Sequence, residues 1–262
     1  PNQFANGLQV DVGITVSYAR NKLVQIIEGA DTYDNPERRR TGRPLGTQFG
    51  YRALGLFQSQ EEIDNWATQF GTLQPGDIKY ADMNNDGRID ANDEVVIGDP
   101  SFPQLIYGLT GNLAWHGFDL SMLWQGADKS SFLLTNEASN PFFNGAKIFK
   151  EQLDYWTPEN RDASYPVIMP TPTPNSTQTS SWWIRDGRYL RLKNLELGYT
   201  IPSAITQRIN IGAIRLFAAG QNVLTFSSED YLDPEIGVSG GSRRARYYFQ
   251  QKVYTVGLNV NF

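Results

Sequence analysis

The sequence predicts an all-β fold: about six spanning strands of a large antiparallel transmembrane β-barrel, with long loops that carry short helices. Three observations lead there. Apolar and polar residues alternate with period two over six stretches, as side chains on successive strand positions do. The connections between those stretches alternate between short and long. The last stretch runs to the final residue, Phe262.

Each strand is legible in its own right. Residues 7–18 place Leu8, Val10, Val12, Ile14, Val16 and Tyr18 on one parity. Residues 104–115 place Leu105, Tyr107, Leu109, Leu113 and Trp115 on one face, with Gly108, Thr110 and Asn112 opposite. His116-Gly117 breaks the pattern. Phe118, Leu120, Met122 and Trp124 then resume it against Asp119, Ser121 and Gln125, which predicts a hairpin with a very short turn. In 186–200, Leu190 and Leu192 share one parity while Leu195, Leu197 and Tyr199 take the other. That phase slip near Lys193-Asn194 marks a β-bulge. Residues 211–225 set Ile214, Leu216 and Ala218 against Arg215, Phe217 and Gln221. The chain closes with Tyr254, Val256, Leu258, Val260 and Phe262 alternating with Thr255, Gly257, Asn259 and Asn261.

The connections at 115–117 and 201–210 are short. Those at about 21–103, 128–185 and 226–248 are long and rich in Gly, Pro, Ser, Asn and charge. Within the first, Ser59-Gln60-Glu61-Glu62 is a capping-box signature that opens a helix expected to reach about Phe70. In the second, Ile148, Leu153 and Trp156 predict another helix, ended by Pro158. The tract Pro170-Thr171-Pro172-Thr173-Pro174 predicts an extended, solvent-facing segment. The tract from Gln48 to Phe57 also reads as strand. It is placed inside the first long loop, because counting it as spanning would upset the up-and-down alternation.

Composition narrows the function. Hydrophobic residues make up 40% of the 262 and charged residues 19%, which excludes a disordered chain. A net charge of −5 argues against a nucleic-acid binder. The absence of cysteine and the presence of one histidine, His116, exclude thiolate centres, Cys nucleophiles and multi-His metal sites. No apolar run is long enough for a transmembrane helix, so strands are the only way this chain could span a bilayer. The chain begins at Pro1 with no Met and no leader, as expected of a processed or partial product.

Period two alone suits a soluble β-sandwich equally well. The C-terminal strand separates the two readings. Phe262 ends it, with Val260, Gly257 and Thr255 at the preceding key positions, and this resembles the C-terminal signal by which outer-membrane barrels are recognised for insertion. Tyr107, Trp115, Phe118, Trp124, Tyr199 and Phe262 lie near strand ends, where aromatic girdles meet the membrane interface.

The sharpest chemical motif is Asp82-Met-Asn84-Asn-Asp86-Gly87-Arg88-Ile89-Asp90-Ala-Asn-Asp93. Oxygen donors fall at the first, third and fifth positions, and Gly87 supplies the sharp turn at the sixth. Arg88 offers its carbonyl at the seventh and Asp90 a carboxylate at the ninth, direct or through water. The twelfth position is Asp93 where an EF-hand has Glu, so the loop resembles the dockerin-type variant. Hard oxygen ligands without nitrogen or sulfur predict a structural Ca²⁺ held by Asp82, Asn84, Asp86, Arg88, Asp90 and Asp93. The competing reading is an Asx-rich turn that holds itself together.

Other features are blander. Arg38, Arg39, Arg40 and Arg43 form one basic cluster and Arg243, Arg244 and Arg246 another. Each is expected to be a solvated loop face, with lipopolysaccharide, an anionic ligand or a partner as the minority reading. Trp182-Trp183 is expected in a loop core or at an interface more than as a sugar platform. No carboxylates pair into an acid/base couple, so no enzyme is predicted.

Several motifs in one order resemble the SusC/RagA-type TonB-dependent outer-membrane transporters. They include Gly55-Leu56-Phe57-Gln58-Ser59, Gly76-Asp77-Ile78 leading into the Asp82–Asp93 loop, Ile97-Gly98-Asp99-Pro100 and Gly117-Phe118-Asp119-Leu120. Tyr155-Trp156-Thr157-Pro158-Glu159-Asn160, Tyr189-Leu190-Arg191-Leu192-Lys193-Asn194, Asp233-Pro234-Glu235 and the segment from Tyr254 to Phe262 continue the series. The resemblance implies a barrel of 22 strands with a plug, import of oligosaccharides or peptides in a Gram-negative outer membrane, TonB coupling and a SusD-like surface lipoprotein as lid. About six strands cannot close a barrel, which takes about eight at least. The chain is therefore expected to be the C-terminal part of such a transporter, without the plug and without the TonB contact. The alternative reading is a secreted soluble β-domain with a calcium-stabilised loop that binds carbohydrate or cell surfaces.

Overall fold

The computed structural model describes residues 2–3, 7–29, 32, 35–229, 231–235, 242–243 and 250–262. In chain order the strands are β1 (Asn2–Gln3), β2 (Gln9–Tyr18), β3 (Gln48–Gly50), β4 (Ala53–Leu56), β5 (Ile78–Tyr80), β6 (Val95–Gly98) and β7 (Leu105–Trp115). They continue with β8 (Phe118–Asp128), β9 (Ser131–Leu134), β10 (Ile184–Asp186), β11 (Tyr189–Thr200), β12 (Ala213–Ser227), β13 (Ser242–Arg243) and β14 (Val253–Asn261). One sheet of seven strands runs β1-β2-β7-β8-β11-β12-β14, antiparallel throughout and open at both edges. Its six long strands are those the alternation predicts, and the barrel they belong to is unclosed here.

Turn chemistry fixes the hairpin register. His116 and Gly117 take φ of 46° and 85°, the doubly left-handed pair that a two-residue hairpin turn requires. Trp115 and Phe118 pair directly across it. The bulge also forms: both pairings of β11 shift register between Leu192 and Asn194. One extra residue there lets Leu192 and Leu195 face the same side despite opposite parity.

The ends of the sheet differ as predicted. At one end lie the His116-Gly117 turn, the 201–212 connection and the close of β14, tied by Thr200 N–H to Gly117 O (2.7 Å) and Gly212 N–H to Asn261 O (2.8 Å). All three long loops leave from the other end. There the tract from Gln48 to Phe57 forms β3 and β4, which pair with β6 and β5 in two small sheets apart from the main one.

Two helix expectations need correction. The capping box at Ser59 starts a helix, but it covers only Gln60–Asp64, because the chain turns at Asn65 to bury its apolar residues against the loop core. The segment around Ile148–Trp156 forms only a 3₁₀ turn at Lys150–Leu153. Trp156 instead bonds through its backbone N–H to Tyr165 O at 2.9 Å and packs in that same core. Pro170, Thr171 and Pro174 are exposed, while Pro172 and Thr173 are half-buried ahead of a turn at 174–177.

Candidate functional site

The sheet turns the usual soluble arrangement inside out. Because directly paired residues share a face, the registers trace continuous apolar rows across the strands. One row is Val10, Leu113, Leu120, Leu197, Ala218 and Val256. Another is Ile14, Leu109, Trp124, Leu192 and Leu224, and a third, nearer the short turns, is Trp115, Phe118, Tyr199, Leu216 and Leu258. Most of these residues are partly or wholly uncovered, Leu192 being the buried exception: Ile14 is 73% exposed and Val256 86%, and the terminal Phe262 beyond the rows is 97% exposed. Soluble monomers rarely leave so large an apolar face in water. The opposite face carries the row Asp11, Asn112, Ser121, Glu196, Ala219 and Thr255.

Two ion networks occupy the polar face. Arg215 bonds to both Asp119 and Glu196, the latter at 2.6 Å. Nearer the long loops, Arg191 pairs with Asp233 at 3.0 Å and with Glu235, and its Nε donates to Thr225 Oγ1 at 2.8 Å. The bulge adds Lys193, whose Nζ reaches Glu235 at 2.6 Å. Asp233 also accepts from the Gln250 N–H (3.1 Å), so this cluster clamps both roots of the last loop to the sheet.

The hydrophobic core of the described residues lies in the loops. Tyr51, Ile78, Tyr80, Phe132, Leu134, Trp156, Tyr165 and Trp183 pack together, drawn from the first and second loops, and Leu232 joins from the third. Backbone bonds lock the first two loops: Tyr51 N–H to Thr179 O and Ser181 N–H to Tyr51 O, both 2.9 Å. Buried Asn175 donates to Ile78 O at 2.8 Å and its carbonyl accepts from the Tyr80 hydroxyl. Burial pushes the Tyr51 phenol up to about 12 and Tyr80 higher still, so both phenols stay neutral and the Tyr80 hydroxyl keeps the proton it donates. Trp183 is buried, its indole N–H on Ser176 O at 3.1 Å, as the loop-core reading expected. Of the basic clusters, Arg38 pairs with Glu94 (3.4 Å) and Arg43 with Glu37 (3.4 Å). Arg244 and Arg246 lie outside the described residues, as does the side chain of Arg243.

The oxygen-rich loop sits on the first loop's surface. Asp82 accepts from the N–H groups of Asp86 (3.3 Å) and Gly87 (2.8 Å), and Asn84 from Asp86 (3.0 Å). Asp86 accepts from Arg88 N–H at 2.9 Å, and Asp90 from Asn92 N–H at 2.8 Å. Asp93 is fully buried and spans the loop, accepting from Met83 (2.7 Å) and Asp90 (2.8 Å) N–H groups. Ile89 is buried beside it, and its N–H bonds to Thr68 O. All six donor positions are thus brought into one turn. Among the described residues, however, no three carboxylate or imidazole side chains stand close enough together to hold an ion. The donors are hard oxygens only, and Asp82, Asp86 and Asp93 each use two of about four acceptor sites on bonds within the loop, so the turn holds itself together as the Asx-rich reading expects while acceptor sites remain on each carboxylate. Sequence reasoning missed the Arg191 clamp. Its only signal was the pair of cations flanking the bulge.

An open antiparallel sheet with one apolar and one polar face, capped by large loops, defines a segment of a membrane β-barrel wall. No protein-family model matches the chain. TonB-dependent receptor P3 of Formosa agariphila is 28% identical over 270 residues, covering 93% of this chain and 26% of that receptor. TonB-dependent receptor P26 of the same organism is 32% identical over 239 residues, covering 84% and 23%. Among solved structures, a chain of the RagAB peptide transporter superposes with a TM-score of 0.72 at 19% identity, covering 97% of this chain and 27% of that one. The RagAB peptide importer in its closed-closed state gives 0.71 at 19% identity, with coverage of 100% and 28%. Its relatives are thus TonB-dependent receptors and its fold is that of part of a RagAB chain, as expected of a C-terminal portion of such a receptor, and it spans about a quarter of the length of the relatives it matches.

Proposed function

We propose that this chain forms part of the wall and outer vestibule of a Gram-negative outer-membrane importer for oligosaccharides or peptides. The observation that carries the reading is the inverted sheet: apolar rows uncovered on one face, polar residues on the other, and the packed core in the loops. The apolar face meets lipid, and the polar face borders the passage. The end with the short turns faces the periplasm and the loop assembly faces outward, where a SusD-like lipoprotein docks as a lid. Energy enters through TonB and a plug contributed by the rest of the receptor, so nothing in this segment acts as a catalyst. Ca²⁺ on the Asp82–Asp93 loop stiffens the outer assembly. The similarity to RagAB, a peptide transporter, supports the peptide alternative among the cargoes.

Uptake of labelled oligosaccharide and peptide by cells carrying the full-length receptor tests this reading. Uptake is expected to vanish when residues 104–262 are deleted. Undiminished uptake after that deletion overturns the proposal.

A further inference from the structure

A cavity of about 590 Å³ opens where β2, β7 and β8 reach the loop end of the sheet. Its lining includes Tyr18, Arg20, Arg43, Asp99, Gln104 and Lys129. Three cations thus face one carboxylate. Arg43 is partly engaged, through Glu37 at 3.4 Å and Arg39 O at 2.8 Å. Arg20 and Lys129 have no side-chain hydrogen bond or ion pair among the described residues.

The cavity's position identifies its partner. Tyr18 continues the exposed face of Val12, Ile14 and Val16 and is itself 61% exposed, so the apolar band ends at this aromatic. Arg20 follows two residues later, just past the end of β2. An apolar band, then an aromatic, then cations is the order in which a lipid presents its chains, its interface and its charged headgroup. A soluble partner seated over the passage would have no use for that order, because Tyr18 belongs to the face away from the polar rows.

We propose that this cavity binds the phosphate group of an anionic lipid headgroup in the outer leaflet, with Arg20 and Lys129 as the principal contacts and Arg43 as a third. Paired Arg and Lys suit a phosphate because guanidinium donors fork onto two oxygens while the ammonium adds charge without fixed geometry. The inference rests on the membrane reading of the apolar face.

The test uses the full-length receptor in phosphatidylcholine nanodiscs containing fluorescent lipid A, and, in a second arm, in detergent micelles titrated with inorganic phosphate. The double variant Arg20→Gln, Lys129→Gln is expected to bind lipid A at least about tenfold more weakly, while Arg20→Lys, Lys129→Arg stays close to wild type. Lipid A binding that millimolar inorganic phosphate does not displace assigns the lipid as the source. Phosphate binding in micelles that the same double variant abolishes, without lipid A binding, assigns the free ion and overturns the lipid. Binding in neither arm, or binding indifferent to the two cations, overturns the site. Heat-modifiable mobility of every variant is followed in parallel. A receptor that never inserts refutes the membrane reading, whereas an inserted receptor that ignores lipid A refutes only this inference.

Discussion

Arg191 Nη2 lies 3.0 Å from Asp233 Oδ1, with both side chains almost wholly buried, so a residue of the sheet holds the root of the last loop by a charge-assisted bond. Glu235, Thr225 and Gln250 complete the Arg191 shell. Removing the cation leaves two buried carboxylates with Lys193 as their remaining cation. Arg191→Ala is therefore expected to cost about 3–5 kcal/mol locally. Hydrogen exchange in the full-length receptor checks this: amides at 231–235 and 250 should lose protection while those of β7 and β8 keep theirs.

Leu120 and Ser121 are neighbours on β8 that face opposite ways, in the apolar and polar rows respectively. Leu120→Arg is expected to destabilise the inserted barrel by about 1–3 kcal/mol, because the charge enters hydrocarbon two residues in from the interfacial Phe118. Ser121→Arg should change stability by less than about 1 kcal/mol. Urea titrations of the full-length receptor folded into lipid vesicles compare the two. Equal costs would contradict the assignment of the faces.

Lys79 Nζ sits 2.7 Å from Glu62 Oε1 and 3.8 Å from the Trp66 ring centroid. This ammonium, with the Gln58 N–H, holds the Glu62 carboxyl below its ordinary value of 4.5. A carboxyl lowered on folding stabilises fully above its unfolded value and loses that contribution as pH falls through the folded one. Protection of the 58–66 segment, corrected for intrinsic exchange, should accordingly weaken from about pH 4.5 downward. Glu62→Gln should be less stable at neutral pH and show no such acid dependence.

Asp82 and Asp86 each accept backbone N–H groups inside the oxygen-rich turn. If Ca²⁺ binds there, adding it to the full-length receptor should slow exchange of the 82–93 amides, and calorimetry should register one site. Asp82→Ala with Asp86→Ala should abolish the calorimetric signal and loosen the turn with or without the ion. Unchanged Ca²⁺ affinity in the double variant contradicts the ligand assignment.

The local rules carried the sheet a long way. Period two found all six long strands, and a single parity slip located the bulge at Lys193. His116-Gly117 announced its own turn. These features are legible because a strand's two environments are written residue by residue, and a tight turn depends on the backbone freedom of one or two positions. The helix expectations around Phe70 and Trp156 failed for the complementary reason: those apolar residues are spaced as on a helix but are claimed by a core assembled from three separate loops. Apolar spacing within one segment carries no record of that competition.

What the sequence determined by itself is the alternation of faces, the short and long connections, and the family whose motifs it shares. Only the tertiary structure decided that the loops, and not the strands, own the packed interior, and that Arg191 grips Asp233 from 42 positions away. Strand alternation is a nearest-neighbour property, so it survives in one dimension. The clamp and the loop core depend on charges and rings meeting across long stretches of chain, and their partners are fixed only once the sheet has set the distance between loop roots.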